Sequence, residues 1–265
     1  MNRAERKRQA RQDEARLAKG VDPETRDPAG VAAMGRQLYA LFEKAREEGS
    51  IDAPVKFFHA KVEATIAAGN VAVACAKGCS HCCHSWVSAT APELLYVAKV
   101  VRKRGEGLAA RIMAAHQATK DFDAVTRARR PLPCPMLESH ICTIYESRPA
   151  VCRFAASVDA SACERVLRLL QNETIPAPLR HIKGRAVYEI AMTIALIHAA
   201  LPHRYYEFNA GLARALMLED AESAWLAGED VFQGVRLDPS DAIQNRNTQM
   251  MYQHAFGEER GNPSA

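Results

Sequence analysis

Cysteine placement constrains this chain more than any other feature. The ten residues CAKGCSHCCH, from Cys75 to His84, hold four of its eight cysteines, two of them adjacent. A segment so dense in thiols has three uses: a metal site, a set of disulfides, or the cluster loop of a redox or radical enzyme. The other four, Cys134, Cys142, Cys152 and Cys163, lie in a second stretch, CPMLESHICTIYESRPAVCRFAASVDASACE.

The remainder of the chain decides among these uses. At 265 residues it allows one or two domains and a core that needs no covalent staples. The balance of 35 basic against 31 acidic residues, net +4, is mild and points to neither nucleic acid nor membrane as partner. The first twenty residues lack the apolar run of a secretory signal. The longest apolar run, residues 186–202, is broken by Glu189, Thr193 and His198 and is too polar for a bilayer span. These features predict a cytoplasmic protein, whose thiols stay reduced. Eight cysteines in that setting favour metal or redox chemistry over a disulfide framework. Adjacent Cys82 and Cys83 could pair only in a strained ring.

Apolar spacing predicts an all-α fold, a helical domain carrying an irregular cysteine-rich metal-binding insert. Val31, Met34, Leu38, Leu41 and Phe42 mark one amphipathic helix, and Val55, Phe58, Val62 and Ile66 a second. Thr90-Ala-Pro-Glu93 fits a capping box that opens a third. Further helices are expected over 108–122, 166–170, 186–200, 203–218 and 222–226, with 131–164 irregular and 174–178 a linker. No long alternating run suggests a sheet, and 71–73 is the best short strand candidate. The expected organisation is a charged, disordered arm over 1–27, a cysteine-cluster domain over 28–170 with its metal site at 75–164, C-terminal helices over 171–245, and a polar tail over 246–265.

Thiolates are soft ligands suited to zinc, Cu(I) and iron–sulfur centres. The Cys79-x2-Cys82 turn brings two sulfurs to one metal, and distant cysteines close such sites from another segment. Crowded thiolates need nearby positive charge, which Arg148 and Arg153 offer on either side of Cys152. His81, His84 and His140 lie within the cysteine segments and are expected to support them rather than ligate. His198 is expected in the core, and Asp159 and Glu164 as cap or surface acids. The spacing Cys75-x3-Cys79-x2-Cys82 is also that of radical S-adenosylmethionine enzymes. Their loop follows a strand of a β/α barrel, and no such alternation is present here.

Two linked stretches carry a family resemblance: Cys75-Ala-Lys-Gly-Cys79-Ser-His-Cys82-Cys83, and Cys134-Pro-Met-Leu followed by Cys142-Thr-Ile-Tyr145-Glu-Ser-Arg148-Pro149-Ala-Val-Cys152-Arg153. In these the chain resembles the bacterial CxxCxxCC or YkgJ-like cysteine-cluster proteins, a zinc- or iron-chelating family. The resemblance implies a zinc or iron–sulfur site built from Cys75, Cys79, Cys82, Cys83, Cys134, Cys142, Cys152 and Cys163. Some relatives are similar to flagellin lysine N-methylases. An iron–sulfur-dependent enzyme of that kind or an oxidoreductase therefore stands beside a structural zinc-binding interaction module as an alternative function. No glycine-rich nucleotide loop supports methyl transfer independently. The sequence identifies no protein partner.

Overall fold

The structure is a computed structural model that describes residues 28–69, 71–238 and 246–257, together with Ala4, Glu5 and Arg8. The charged arm expected over 1–27 therefore lies almost wholly outside the described residues.

The chain is mainly helical. In order, the elements are α1 (Pro28–Glu48), α2 (Asp52–Ala67), a 3-10 turn (His81–His84), β1 (Ser88–Thr90), α3 (Ala91–Arg104), α4 (Glu106–Thr119), α5 (Ala124–Arg129), β2 (Leu137–Glu138) and β3 (Ile141–Cys142). A second 3-10 turn (Tyr145–Ser147), α6 (Ala150–Phe154), α7 (Ala160–Leu167), α8 (Leu179–His198), β4 (Tyr205–Glu207), α9 (Phe208–Met217), α10 (Ala221–Leu226) and α11 (Arg246–Phe256) follow. No described helix is long and apolar enough to cross a membrane.

Helical spacing builds the core directly. Val31, Leu38, Phe42 and Ala45 bury one face of α1, and α8 lies along it with Ala191, Ile194 and Ala195. Gly35 permits that approach, because a Cβ there would come within 2.6 Å of Ile194. Helices α3, α4 and α9 pack together on the other side. Lys99 of α3 joins Asp52 of α2 at 2.6 Å and Glu222 of α10 at 2.9 Å, tying three helices through one partly buried cation.

Several boundaries depart from the sequence pattern. The segment 131–164, expected to be irregular, contains the β2–β3 hairpin, α6 and all but the last turn of α7. The helix expected over 166–170 is the end of α7, which stops at Leu167, and Leu170 turns back with φ 55°. The stretch 203–218 begins as a strand rather than a helix. Tyr205–Glu207 pairs antiparallel with Ser88–Thr90, which holds the exit of the cysteine loop against the entry of α9. The candidate strand 71–73 forms none. Within 246–265, expected as a polar tail, α11 docks on α1 and α8 with Met251 and Tyr252 buried, and its Phe256 ring stacks on His198 at 3.8 Å.

Candidate metal centre

The first cysteine segment is pinned at both ends. Ala74 N–H donates to Ser157 O at 2.8 Å, and Cys79 N–H closes a turn onto Ala76 O. The loop then winds into the 3-10 turn that carries Cys82 and Cys83 and leads into β1. Within that turn the buried His84 donates through Nδ1 to Ser80 O, so it supports the loop, as expected.

The second segment closes over the first. Cys134 N–H donates to Cys83 O at 2.8 Å, placing the start of one segment on the turn of the other. Leu137 pairs with Cys142 across the hairpin. Its tip, Ser139-His140, has φ of 47° and 64°, a conformation usually given to Asn-Gly. His140 Nδ1 and Ser80 Oγ lie 2.9 Å apart and latch this tip to the cysteine loop.

Helix α6 delivers Cys152, and its position rests on a buried relay. Glu93 Oε1 accepts the Ala150 N–H at 2.7 Å at the start of α6, while Glu93 Oε2 accepts from the Thr90 N–H and hydroxyl. His59 Nε2 lies 3.3 Å from Glu93 Oε1, and the Arg153 guanidinium lies 3.3 Å from His59 Nδ1. An arginine can only donate, so His59 Nδ1 accepts and Nε2–H donates to Glu93. Burial alone would raise the Glu93 carboxyl, but His59, Ala150 N–H and Thr90 together hold it below the usual carboxylate value. Phe154, at the end of α6, packs beside Gly184 of α8, where a Cβ would come within 2.7 Å of the ring. Gly184→Ala is expected to destabilise the fold by about 1 kcal/mol net, because crowding costs about 1–3 kcal/mol while helix propensity returns about 1. A thermal melt checks it.

The positive charge divides unevenly. Arg148 stacks on the Tyr145 ring, 3.6 Å from its centroid, and its charge reaches Cys82, Cys142 and Cys152. Arg153 turns away to Glu63 at 2.6 Å and to the carbonyls of Glu146 and Arg148, so it clamps the loop rather than neutralising sulfur. Sequence reasoning missed Arg127, which is buried, donates to Arg130 O and Leu132 O, and lies close enough to favour the Cys134 thiolate. It also missed His59 and the reach of Glu93 to α6. The Thr90-x-x-Glu93 pattern is the one local signal that pointed towards that relay.

The thiols fall into two neighbourhoods. Cys152 is raised well above the ordinary thiol value by burial first, then by Cys134, Cys82 and Cys142. Burial pushes Cys134 up to about 12, with Cys142 adding to it. Burial also raises Cys142, and Cys82 contributes. Cys82 is raised mainly by its hydrogen bond with Cys83, then by burial. The second neighbourhood holds Cys163, pushed up to about 11 by burial and next by Cys75, Cys82 and Cys79. Cys75 is raised by desolvation around its sulfur, then by Cys79 and Cys82. Asp159 caps α7 by accepting Ser161 N–H, the cap role expected of it.

The raised values set a pH dependence for the metal-free chain. Stabilisation from protonated buried thiols is fully present below the ordinary thiol value of 9.0 and is lost as pH rises through about 11 for Cys163 and about 12 for Cys134. Urea denaturation of metal-free protein is therefore expected to show stability falling over that alkaline range. Thiol-to-serine replacement at both positions should flatten the fall.

All eight cysteines are free thiols. Among the described residues, no three His, Cys, Asp or Glu side chains already stand close enough to hold an ion. The donor chemistry fits a thiophilic metal: crowded soft ligands, flanking arginine charge, and a buried His81 Nδ1 with no hydrogen-bond partner among the described residues. Thiols that held such a metal would release their protons to solvent.

Fold and site together define a mainly α-helical protein with a two-segment cysteine cluster. Residues 74–174 match the CxxCxxCC family, described as "Putative zinc- or iron-chelating domain". This cysteine-cluster segment covers a little over a third of the chain and includes all eight cysteines. No curated protein and no solved structure matches the chain.

Proposed function

We propose that the protein binds zinc or an iron–sulfur cluster through thiolates of both cysteine segments, with Cys82, Cys134, Cys142 and Cys152 as the central set and Cys83 beside them. The observation that supports this most is that the second segment closes on the first: Cys134 N–H donates to Cys83 O at 2.8 Å, and α6 carries Cys152, whose thiol is raised by burial and by Cys134, Cys82 and Cys142. Four thiolates satisfy a tetrahedral zinc ion or hold an iron–sulfur cluster. A reducing, cytoplasmic setting belongs to the same proposal and is supported by the free thiols.

Purification without oxygen, followed by metal and sulfide analysis and a visible spectrum, tests the proposal. Stoichiometric zinc in a colourless protein, or iron with sulfide and visible absorption, is expected. A protein that neither retains nor takes up either metal overturns it. The same spectrum separates iron-dependent chemistry, such as a lysine N-methylase-like or oxidoreductase activity, from a structural zinc module.

A further inference from the structure

We infer that Arg185, Glu189, Asp238, Tyr205 and Trp86 line a recess that binds a small amino-acid zwitterion, its carboxylate on Arg185 and its ammonium on Glu189. The recess lies where α8 meets the β1–β4 ribbon. No cysteine takes part in the contacts that build it, so it stands apart from the metal proposal.

A chain of contacts assembles it. On α8, Arg185 Nε–H donates to Glu189 Oε1 at 2.6 Å. The Tyr205 hydroxyl of β4 donates to the Glu189 carbonyl at 3.1 Å, and the Tyr205 carbonyl accepts the Asp238 N–H at 2.8 Å. The Asp238 carboxylate accepts from the Ser88 hydroxyl of β1, which itself accepts the Trp86 indole N–H at 2.7 Å. Ser88 is buried, so this relay fixes the Asp238 carboxylate from behind. Burial raises the Glu189 carboxyl above its ordinary value against the pull of Arg185, with Asp238 adding to the rise, and burial also raises the Tyr205 phenol. The Arg185 and Glu189 side chains nonetheless remain 43% and 32% exposed. Groups crowded by protein yet reached by water line a recess rather than a core or a flat surface.

The recess has unused binding capacity of both signs. Among the described residues, Arg185 makes no hydrogen bond through either Nη, and Glu189 accepts none at Oε2. The Nη pair is the fork that grips a carboxylate with two parallel bonds. A ligand with a carboxylate alone would meet two acids beside one guanidinium, since Glu189 and then Asp238 hold the Arg185 charge against burial. A cation alone would leave the Nη fork without a partner. A ligand that carries both charges satisfies both groups. The half-buried Trp86 and Tyr205 rings add faces for its ammonium or for an apolar side chain.

The test titrates the full chain, as purified, with each of the twenty protein amino acids by calorimetry. At least one is expected to saturate a single site. Its decarboxylated amine and its deaminated acid should each bind about 10–100-fold more weakly, because each lacks one hydrogen-bonded charge. Arg185→Gln should weaken the amino acid by a similar factor without weakening the amine. Glu189→Gln should weaken the amino acid without weakening the acid. Both side chains are partly exposed, so both variants should keep the wild-type circular dichroism spectrum. Failure of all twenty to saturate a site overturns the inference. So does an amine or an acid that binds as tightly as its parent, which marks a site for one charge alone, and so does wild-type affinity in both variants.

Discussion

Serine in place of Cys152 is expected to abolish stable metal binding at the central set. Cys152 is the thiol on which three others bear, and it reaches them from a separate helix. Removing groups that merely support a ligand costs about 10–100-fold in metal affinity, so losing a ligand itself should cost at least that. Metal per chain, measured after dialysis against a competing chelator, should fall by about one equivalent. The fold supplies the control. A serine hydroxyl left without a partner costs about 1–3 kcal/mol, so the metal-free variant should melt several degrees below metal-free wild type, while the loaded wild type melts well above both. Full occupancy in the variant would show that α6 does not contribute to the centre.

The second large effect concerns Glu93, which touches no cysteine. Replacement by alanine strips acceptors from Ala150 N–H, the Thr90 hydroxyl and His59 Nε2–H, all buried. Each orphaned donor costs about 1–3 kcal/mol. The sum is a sizeable share of the roughly 5–15 kcal/mol that holds a domain together. A drop in Tm on the order of 10 °C is expected for a chain of this size, together with weaker metal binding as α6 loosens. Acid titration gives an independent signature. The depressed Glu93 carboxyl stabilises the fold above its ordinary value of 4.5, and this contribution is lost as pH falls through the lower folded value. Glu93→Gln should lose that acid dependence and retain part of the stability, since its amide oxygen still accepts one bond. A Glu93→Ala protein with unchanged Tm would remove the relay from the explanation of how Cys152 is positioned.

Much of this organisation is written locally. The α1 and α2 stripes, the Thr90 cap and the dense cysteine loop each depend on residues within a turn or two of one another, and all are legible in the sequence. The features that escape it depend on distant partners. Strand β1 exists because Tyr205–Glu207 returns to it, and three residues of Ser-Ala-Thr carry no alternation that could announce this. The hairpin turns on Ser139-His140 without glycine or asparagine, so its signal is absent, and the latch to Ser80 explains how the tip is held. Arg153 flanks Cys152 in sequence yet serves Glu63 and His59, whereas Arg127, outside both cysteine stretches, lies close enough to favour the Cys134 thiolate. The start of the cysteine loop meets the second segment at the buried Ser157, whose carbonyl accepts the Ala74 N–H and lies 4.0 Å from Cys75 Sγ, a contact that no local pattern announces.

X-ray absorption at the edge of the bound metal examines the thiolate centre most directly. A first shell dominated by sulfur, at about 2.3 Å if the metal is zinc, is the expected result for protein loaded to one equivalent. A shell made mainly of oxygen and nitrogen, with the cysteines still open to alkylation, would contradict it.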